Sequence, residues 1–405
     1  MLYDILIVGG GHAGVEAAHI ASQFKELKVA LVSLPGVGLA SAPCNPSVGG
    51  VGKGQVVREL DSMGGFMGKL ADLSGLQFRT LNESKGHAVQ STRVQIDKIK
   101  YSLIAEELLS KIQNLTIIHD EIVSVIEEGS EYKVIGKSST WNSKKLIFTV
   151  GTFLAGKMHI GEDQIKGGRE GCVASATISD FFKDINKVKA RFKTGTPARI
   201  NKNTIDYSKL EEQPSDSLVE CFHYGHKVDE RFVNQVSCYL AHTNSETMSI
   251  IRSNKERSPM FNGQVKAVGA RYCPSIEDKA YRYPDKDIHH VFVEPEGEDM
   301  DTMYPSGMST SLPRDVQDSF ISSMVGLEKA EIINYGYAVE YDVLDTTQLT
   351  RCLELKKKPG VYFAGQVNGT SGYEEAAGQG FIAGAKTALS IMGKEPLIID
   401  RSESY

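Results

Sequence analysis

The sequence predicts an α/β fold in which a Rossmann-like nucleotide-binding domain is interrupted by a smaller inserted α/β domain. Three observations carry this. Near the start, the apolar run Ile5 to Val8 leads into Gly9, Gly11 and Gly14, which have G-x-G-x-x-G spacing ahead of a helix-compatible run. Near the end, Val361 to Ala364 leads into a glycine-rich turn, Gly365 to Gly372, and then a helical stretch, Tyr373 to Ile391. Between them, Asn201 to Asp287 changes texture, being polar and rich in His, Arg, Asn and Tyr.

In the first unit, Gly9 permits a tight turn, Gly11 lets the backbone approach a pyrophosphate, and Gly14 lets the helix pack close to the strand. The helix opening at Gly10, His12 and Ala13 aims free N–H groups and a positive dipole end at phosphate. This strand and helix are expected from about Tyr3 to Phe24, with a second strand at Val29 to Val32. A carboxylate usually follows that second strand to hold ribose hydroxyls. Ser33 stands there instead.

Leu34 to Gly54 reads as a long loop. Its G-G-V-G-K-G run, Gly49 to Gly54, is not a phosphate loop, because Ser47 and Gly54 occupy the diagnostic Gly and Ser/Thr positions. Gly49, Gly50 and Lys53 still suggest backbone held near a ligand. Val94 to Ile112 has helical periodicity, and strands are expected at Leu115 to Ile118, Ile122 to Ile126, Tyr132 to Ile135 and Lys145 to Val150. Gly151 and Thr152 follow the last of these, as if the sheet returned to its cofactor. In the closing unit, Gly365, Gln366, Gly372, Tyr373 and Glu374 surround a second helix N-terminus, which would stabilise the negative charge of a reduced flavin. Two such units favour FAD over NAD alone. The FAD-binding domain is then 1–200 with 288–405, and 201–287 is the insertion.

A chain of 405 residues, 41% hydrophobic and 24% charged, reads as globular with more than one domain. No apolar stretch is long enough to span a bilayer and no signal peptide is evident, so a cytoplasmic protein without membrane partners is expected. The net charge of −6 argues against bulk attraction to nucleic acid. Local basic groups remain: Arg191, Lys193 and Arg199, and separately Lys255, Arg257, Lys266 and Arg271. The six cysteines form no C-x-x-C pair and no zinc spacing, so free thiols and no metal site are expected.

Eight segments resemble the MnmG/GidA family of FAD-dependent RNA uridine-modifying proteins. They are G-G-G-H-A-G from Gly9, C-N-P-S-V-G-G-V-G-K-G from Cys44, F-R-T-L-N-E-S-K-G from Phe78 and V-G-T-F-L-A-G-K from Val150. K-T-G-T-P-A-R-I from Lys193, R-S-N-K-E-R-S-P-M from Arg252, R-Y-C-P-S-I-E-D-K from Arg271 and F-A-G-Q-V-N-G-T-S-G-Y-E-E-A-A from Phe363 complete the set. The resemblance implies FAD held by Gly9 to Gly14, Ile122, Ser175 and Gln366, and Asn45 is a further cofactor-binding candidate. It places Tyr272 and Cys273 in the region facing nicotinamide and flavin. NADH or NADPH is the implied reductant, methylenetetrahydrofolate the one-carbon donor, and C5 of an RNA uridine the acceptor.

The family continues into a C-terminal helical domain that helps hold tRNA and docks the GTPase MnmE, whereas this sequence stops soon after the closing helix. His87, Gln90 and Cys172 to Ala174 also depart from the family pattern. The short form is similar in size to the folate- and FAD-dependent uracil-5 methyltransferases of the TrmFO/RlmFO type. The expected activity is therefore folate-dependent formation of 5-methyluridine in rRNA or tRNA, by a homodimer without MnmE. The alternatives are an MnmG-type subunit of wobble-uridine carboxymethylaminomethyl modification, and a flavoprotein that binds RNA or a partner without modifying it.

Such chemistry needs a flavin, a thiol to add at uracil C6 and a base for the C5 proton. Cys44 and Cys273 are the candidate thiols, with Lys53 and Arg271 as cations able to favour the thiolate. Cys221, Cys238 and Cys352 read as structural. Glu277, Asp278, Glu374 and Glu375 are candidate bases, with Tyr272, Tyr341 and Tyr373 close by in sequence, although Glu374 and Glu375 read more simply as first-turn residues favoured by the helix dipole. Arg79, Lys85 and Arg93 are candidates for gripping folate glutamate or RNA phosphate, or for surface salt bridges.

Overall fold

The computed structural model describes all residues except 169–187, 218–219, 228–234, 270–273, 401 and 404–405. Ser175, Tyr272, Cys273, Cys172 and Arg271 therefore lie outside the described residues.

The seven-stranded sheet is built on Leu2–Val8, whose Ile5, Leu6 and Ile7 are fully buried. Ile5 and Ile7 enter one core, while Leu6 and Val8 enter the other, so the sheet is covered on both faces. Val29–Ser33 and Thr140–Phe148 flank this strand in parallel, Leu115–His119 extends one side and Val361–Phe363 pairs with Thr140–Phe148. An antiparallel hairpin, Ile122–Glu128 and Glu131–Gly136, completes it. This is the expected Rossmann-type α/β architecture.

The register aligns Val8 with Val32 and Phe148, and Phe148 with Phe363. The strands thus end together, and ligands of such sheets bind beyond those ends. Two helices leave from there, His12–Ala21 and Tyr373–Ile391. They pack at the closest range a backbone allows: a side chain at Gly380 would lie 2.0 Å from the Ala13 carbonyl, and one at Gly384 would lie 2.5 Å from that of Ala17. The opposite ends of the chain are thereby joined.

Two expectations are corrected here. The stretch from Val94 to Ile112 is not one helix: Ser91–Ile96 is a strand and Lys98–Ser110 is the helix. Asp97 divides them, its carboxylate accepting the N–H groups of Ile99 and Lys100 as an N-cap. Val94 and Ile96 fit a period of two as well as a helical one. Likewise Leu34 to Gly54 is not all loop, because Ser47–Gly49 pairs with Ser91–Ile96 in a three-stranded sheet with Gly75–Leu81.

A six-stranded sheet unites Arg199–Asn201, Glu211–Gln213, Cys238–His242, His290–Pro295, Thr302–Ser306 and Ile332–Asn334. It draws strands from both sides of the 201–287 segment, and the chain does not leave it at Val291. Its core of Ile251, Ile276, Val291, Val293 and Phe320 lies under the Ser245–Ser253, Ile276–Arg282 and Arg314–Ser322 helices. A separate five-stranded sheet carries Lys157–Ile160, Val188–Thr196 and Tyr337–Leu344. Among the described residues no helix is long and apolar enough to cross a membrane.

Candidate functional site

A cleft of about 690 Å³, open to solvent, lies beyond the ends of the parallel strands. Of the residues read as cofactor-binding, Gly9, Gly10, Gly11, Ser33, Ile122 and Gly151 line it. The glycines differ in what they answer to. Gly9 has φ +115°, and a side chain there would lie 2.5 Å from the Thr149 carbonyl. One at Gly10 would lie 2.5 Å from Ser33 Oγ, and one at Gly14 only 1.8 Å from the Gly9 carbonyl. At Gly11 a side chain would meet no protein atom within 4 Å. The protein therefore packs against three glycines and leaves the surface of the fourth open, as a pyrophosphate cradle requires. The donor set fits a dinucleotide: backbone N–H groups at a helix N-terminus, beside a largely apolar cleft.

Two features were missed in sequence. Thr149 braces the first turn, its hydroxyl donating to the Gly9 carbonyl at 2.8 Å. The carboxylate absent after the second strand occurs one strand over. Ser33 pairs with His119, so Asp120 and Glu121 follow it into the cleft lining. Asp120 is held by the N–H groups of Glu121, Ser138 and Ser139, and Glu121 pairs with Lys137 at 2.8 Å. The sequence signal was an acidic pair directly after an apolar strand.

Other expected cofactor residues stand elsewhere. The His12 side chain is buried and stacks on Tyr373 at 4.5 Å, facing the protein interior. Burial lowers its pKa to about 3, so it is neutral. Ala13 packs beneath Gly380. Asn45 accepts from Ser47, and Thr152 donates to the Gly168 carbonyl. Gln366 donates to the Tyr341 hydroxyl at 3.0 Å, and the Gly365 N–H donates to Gln379. Lys53 bonds Glu374 and Glu375, each at 3.0 Å, and the Gly49 N–H donates to Glu374. Gly49, Lys53 and Glu374 therefore clasp the glycine loop to the second helix at Gly372, while Gly50 closes the neighbouring turn by accepting from Lys53 and Gly54.

Cys44 sits beside this junction. Its N–H donates to the Tyr373 hydroxyl at 2.9 Å, and its thiol lies 3.3 Å from both the Gly195 carbonyl and the Tyr304 hydroxyl. Lys53 is spent on two carboxylates, so the expectation that it serves Cys44 is corrected. The cation here is Arg199, which bonds the Pro43 carbonyl and Glu296 and lies 4.8 Å over the Tyr304 ring. Burial would lower the Arg199 pKa, but Glu296, Tyr304 and Cys44 outweigh it and raise it. Burial first, then Cys44, holds the Tyr373 hydroxyl protonated well above its usual range.

Several other candidates have structural partners. Arg79 pairs with Asp216 and Arg93 with buried Glu294, so neither is a free anion grip. Lys85 is exposed. Asp278 caps its own helix with Ser275. Buried Glu277 accepts from the Ser311 N–H at 2.9 Å, and burial raises its pKa above the usual carboxylate range. Arg191 pairs with Asp342 and Arg257 with Asp315. Cys221 and Cys238 are buried, while Cys352 is half-buried.

Residues 4–395 match the family model described as GIDA, glucose inhibited division protein A. The chain belongs to the GidA family. It is 45% identical over its whole length to the tRNA uridine 5-carboxymethylaminomethyl modification enzyme MnmG of a Nitratiruptor species, and 46% identical to that of Pelobacter propionicus. It spans 65% and 64% of those relatives' lengths. The form I crystal structure of Aquifex aeolicus GidA superposes with a TM-score of 0.92 at 42% identity, covering 99% of this chain and 68% of that one.

These GidA relatives correct the expected activity. Proteins of this similarity carry the name of carboxymethylaminomethyl modification of tRNA, not of folate-dependent 5-methyluridine formation. The methyltransferase expectation rested on the short chain and on the reagents shared with the methyltransferases, and the identity to the named MnmG enzymes overturns it.

Proposed function

We propose that this chain is an FAD-binding, MnmG-type protein acting in 5-carboxymethylaminomethyl modification of tRNA uridine. The observation that carries the reading is 44–46% identity, end to end, with several enzymes so named. The cradle supports the cofactor: the open face of Gly11 and the N–H groups of the His12–Ala21 helix suit the pyrophosphate, and Ser33, Glu121 and Ile122 suit the adenosine end. When bound, FAD supplies two-electron redox chemistry. NADH or NADPH as reductant, a homodimer and MnmE as partner belong to the same reading on family resemblance, and the division into a 1–200 with 288–405 domain and a 201–287 insertion rests on the change of texture along the sequence.

In this reading Cys44 is a nucleophile candidate. Tyr373 fixes its backbone, and Arg199 places positive charge at its loop. Cys273 is the second candidate thiol. The test is nucleoside mass spectrometry of tRNA from cells lacking this gene. Loss of 5-carboxymethylaminomethyluridine with 5-methyluridine unchanged is expected. An unchanged tRNA profile would overturn the reading.

A further inference from the structure

The six-stranded sheet has two unlike faces. One carries Ala241, Val291, Val293 and Met303 into the core. The other is set by the cross-strand pairs, since directly opposed residues share a face. Glu294 opposes Tyr304, Phe292 opposes both Ser306 and Leu240, and His290 opposes His242. These pairs form three successive rungs, roughly 7 Å apart along the strands.

The first rung is buried and touches the candidate site, since the Tyr304 hydroxyl lies 3.3 Å from Cys44 Sγ. The next two come to the surface. Phe292 is 40% exposed, an unusual state for a phenylalanine in mid-strand, and His290 and His242 are exposed. Their rings form a row: His242 to His290 is 4.9 Å between centroids, and His290 to Phe292 is 6.3 Å with near-parallel planes. Beside this row, the Lys279 ammonium donates to the carbonyl of Gly307, the residue after Ser306. Lys279 is half-buried, burial first and then the exposed cation Lys286 lower its pKa, and among the described residues no carboxylate bonds it.

Exposed rings beside unneutralised cations are what single-stranded nucleic acid binds, because every base offers a π-face and every nucleotide a phosphate. Half-buried Leu240 shares the Phe292 rung, and the exposed rings there are two imidazoles and one phenyl ring. Resting on the tRNA reading above, we propose that the Phe292, His290 and His242 face stacks unpaired bases flanking the target uridine, with Lys279 and Lys286 facing their phosphates. The row would lead those bases from solvent toward Cys44.

The test is fluorescence anisotropy of a 5′-labelled heptauridylate with the full FAD-loaded chain. Phe292→Ala is expected to weaken binding about 5- to 100-fold, from the usual value of one base–aromatic stack. Phe292→Trp is expected to retain binding, and Lys279→Gln to reduce the salt slope by about 1. His242→Ala, at an exposed position, gives a second loss that does not depend on Phe292→Ala folding. Equal binding by the wild type and all alanine variants would overturn the platform and leave the tRNA reading standing. Wild type that binds neither heptauridylate nor tRNA would overturn both.

Discussion

At Gly11 an added methyl group would meet no protein atom within 4 Å, whereas at Gly14 it would lie 1.8 Å from the Gly9 carbonyl. The two substitutions should therefore fail differently. Gly11→Ala is expected to keep thermal stability within about 1 kcal/mol, the cost of a poorer N-cap, while weakening FAD at least tenfold. Gly14→Ala is expected to destabilise the fold itself by about 1–3 kcal/mol or more, through overpacking. Calorimetry and flavin titration on the same samples separate the two, and parallel losses in both variants would refute the distinction. Cys44 makes its contacts through a backbone N–H and a thiol, not through the cleft lining. Cys44→Ala is expected to bind FAD as wild type does while abolishing tRNA modification. Turnover within twofold of wild type would remove Cys44 from the chemistry.

At the scale of elements, the two glycine turns stay together because the helices behind them touch backbone to backbone. Gly380→Ala would put a methyl group 2.0 Å from the Ala13 carbonyl. The helices would have to separate, and both stability and FAD affinity should fall together, with a destabilisation of about 1–3 kcal/mol. A variant with lowered melting temperature but unchanged flavin affinity would show that the turns do not share the cofactor. A second junction is Glu296, which bonds Lys98 at the start of the Lys98–Ser110 helix and Arg199 beside the Cys44 loop. Burial would raise its pKa, but Arg199 and Lys98 outweigh that and hold it below the usual carboxylate range. A depressed carboxylate contributes stability above its unfolded pKa, and that stability is lost as pH falls through the folded value. Glu296→Gln should cost about 3–5 kcal/mol at pH 7, since it strands a buried guanidinium. The gap from wild type should narrow below about pH 4. Urea midpoints across pH measure this, and a gap that widens in acid would contradict the assignment.

At the scale of the whole molecule, what was legible in sequence was whatever is local. The turns at Gly9 to Gly14 and Gly365 to Gly372 announce themselves by spacing, and the closing helix spans Tyr373–Ile391 as read. Partners distant in the chain were not legible. Nothing near Lys53 indicates that Glu374 and Glu375 will neutralise it, and nothing near Arg199 indicates that it will be buried under Pro43 and Glu296. Charges meet through topology, which neither composition nor periodicity records. The six-stranded sheet was illegible for a similar reason, since it recruits strands on both sides of the polar 201–287 segment. The activity was misjudged from the short chain and from reagents that more than one uridine modification shares.

A flavin dinucleotide seated where both ends of the chain converge is the centre of this molecule's chemistry. Visible absorbance of the purified chain, before and after titration with FAD, tests it most directly. One equivalent of tightly bound flavin in the wild type, lost in Gly11→Ala without loss of fold, is the result predicted. Protein that stays colourless with FAD in excess, while folded and cooperative in unfolding, would contradict it.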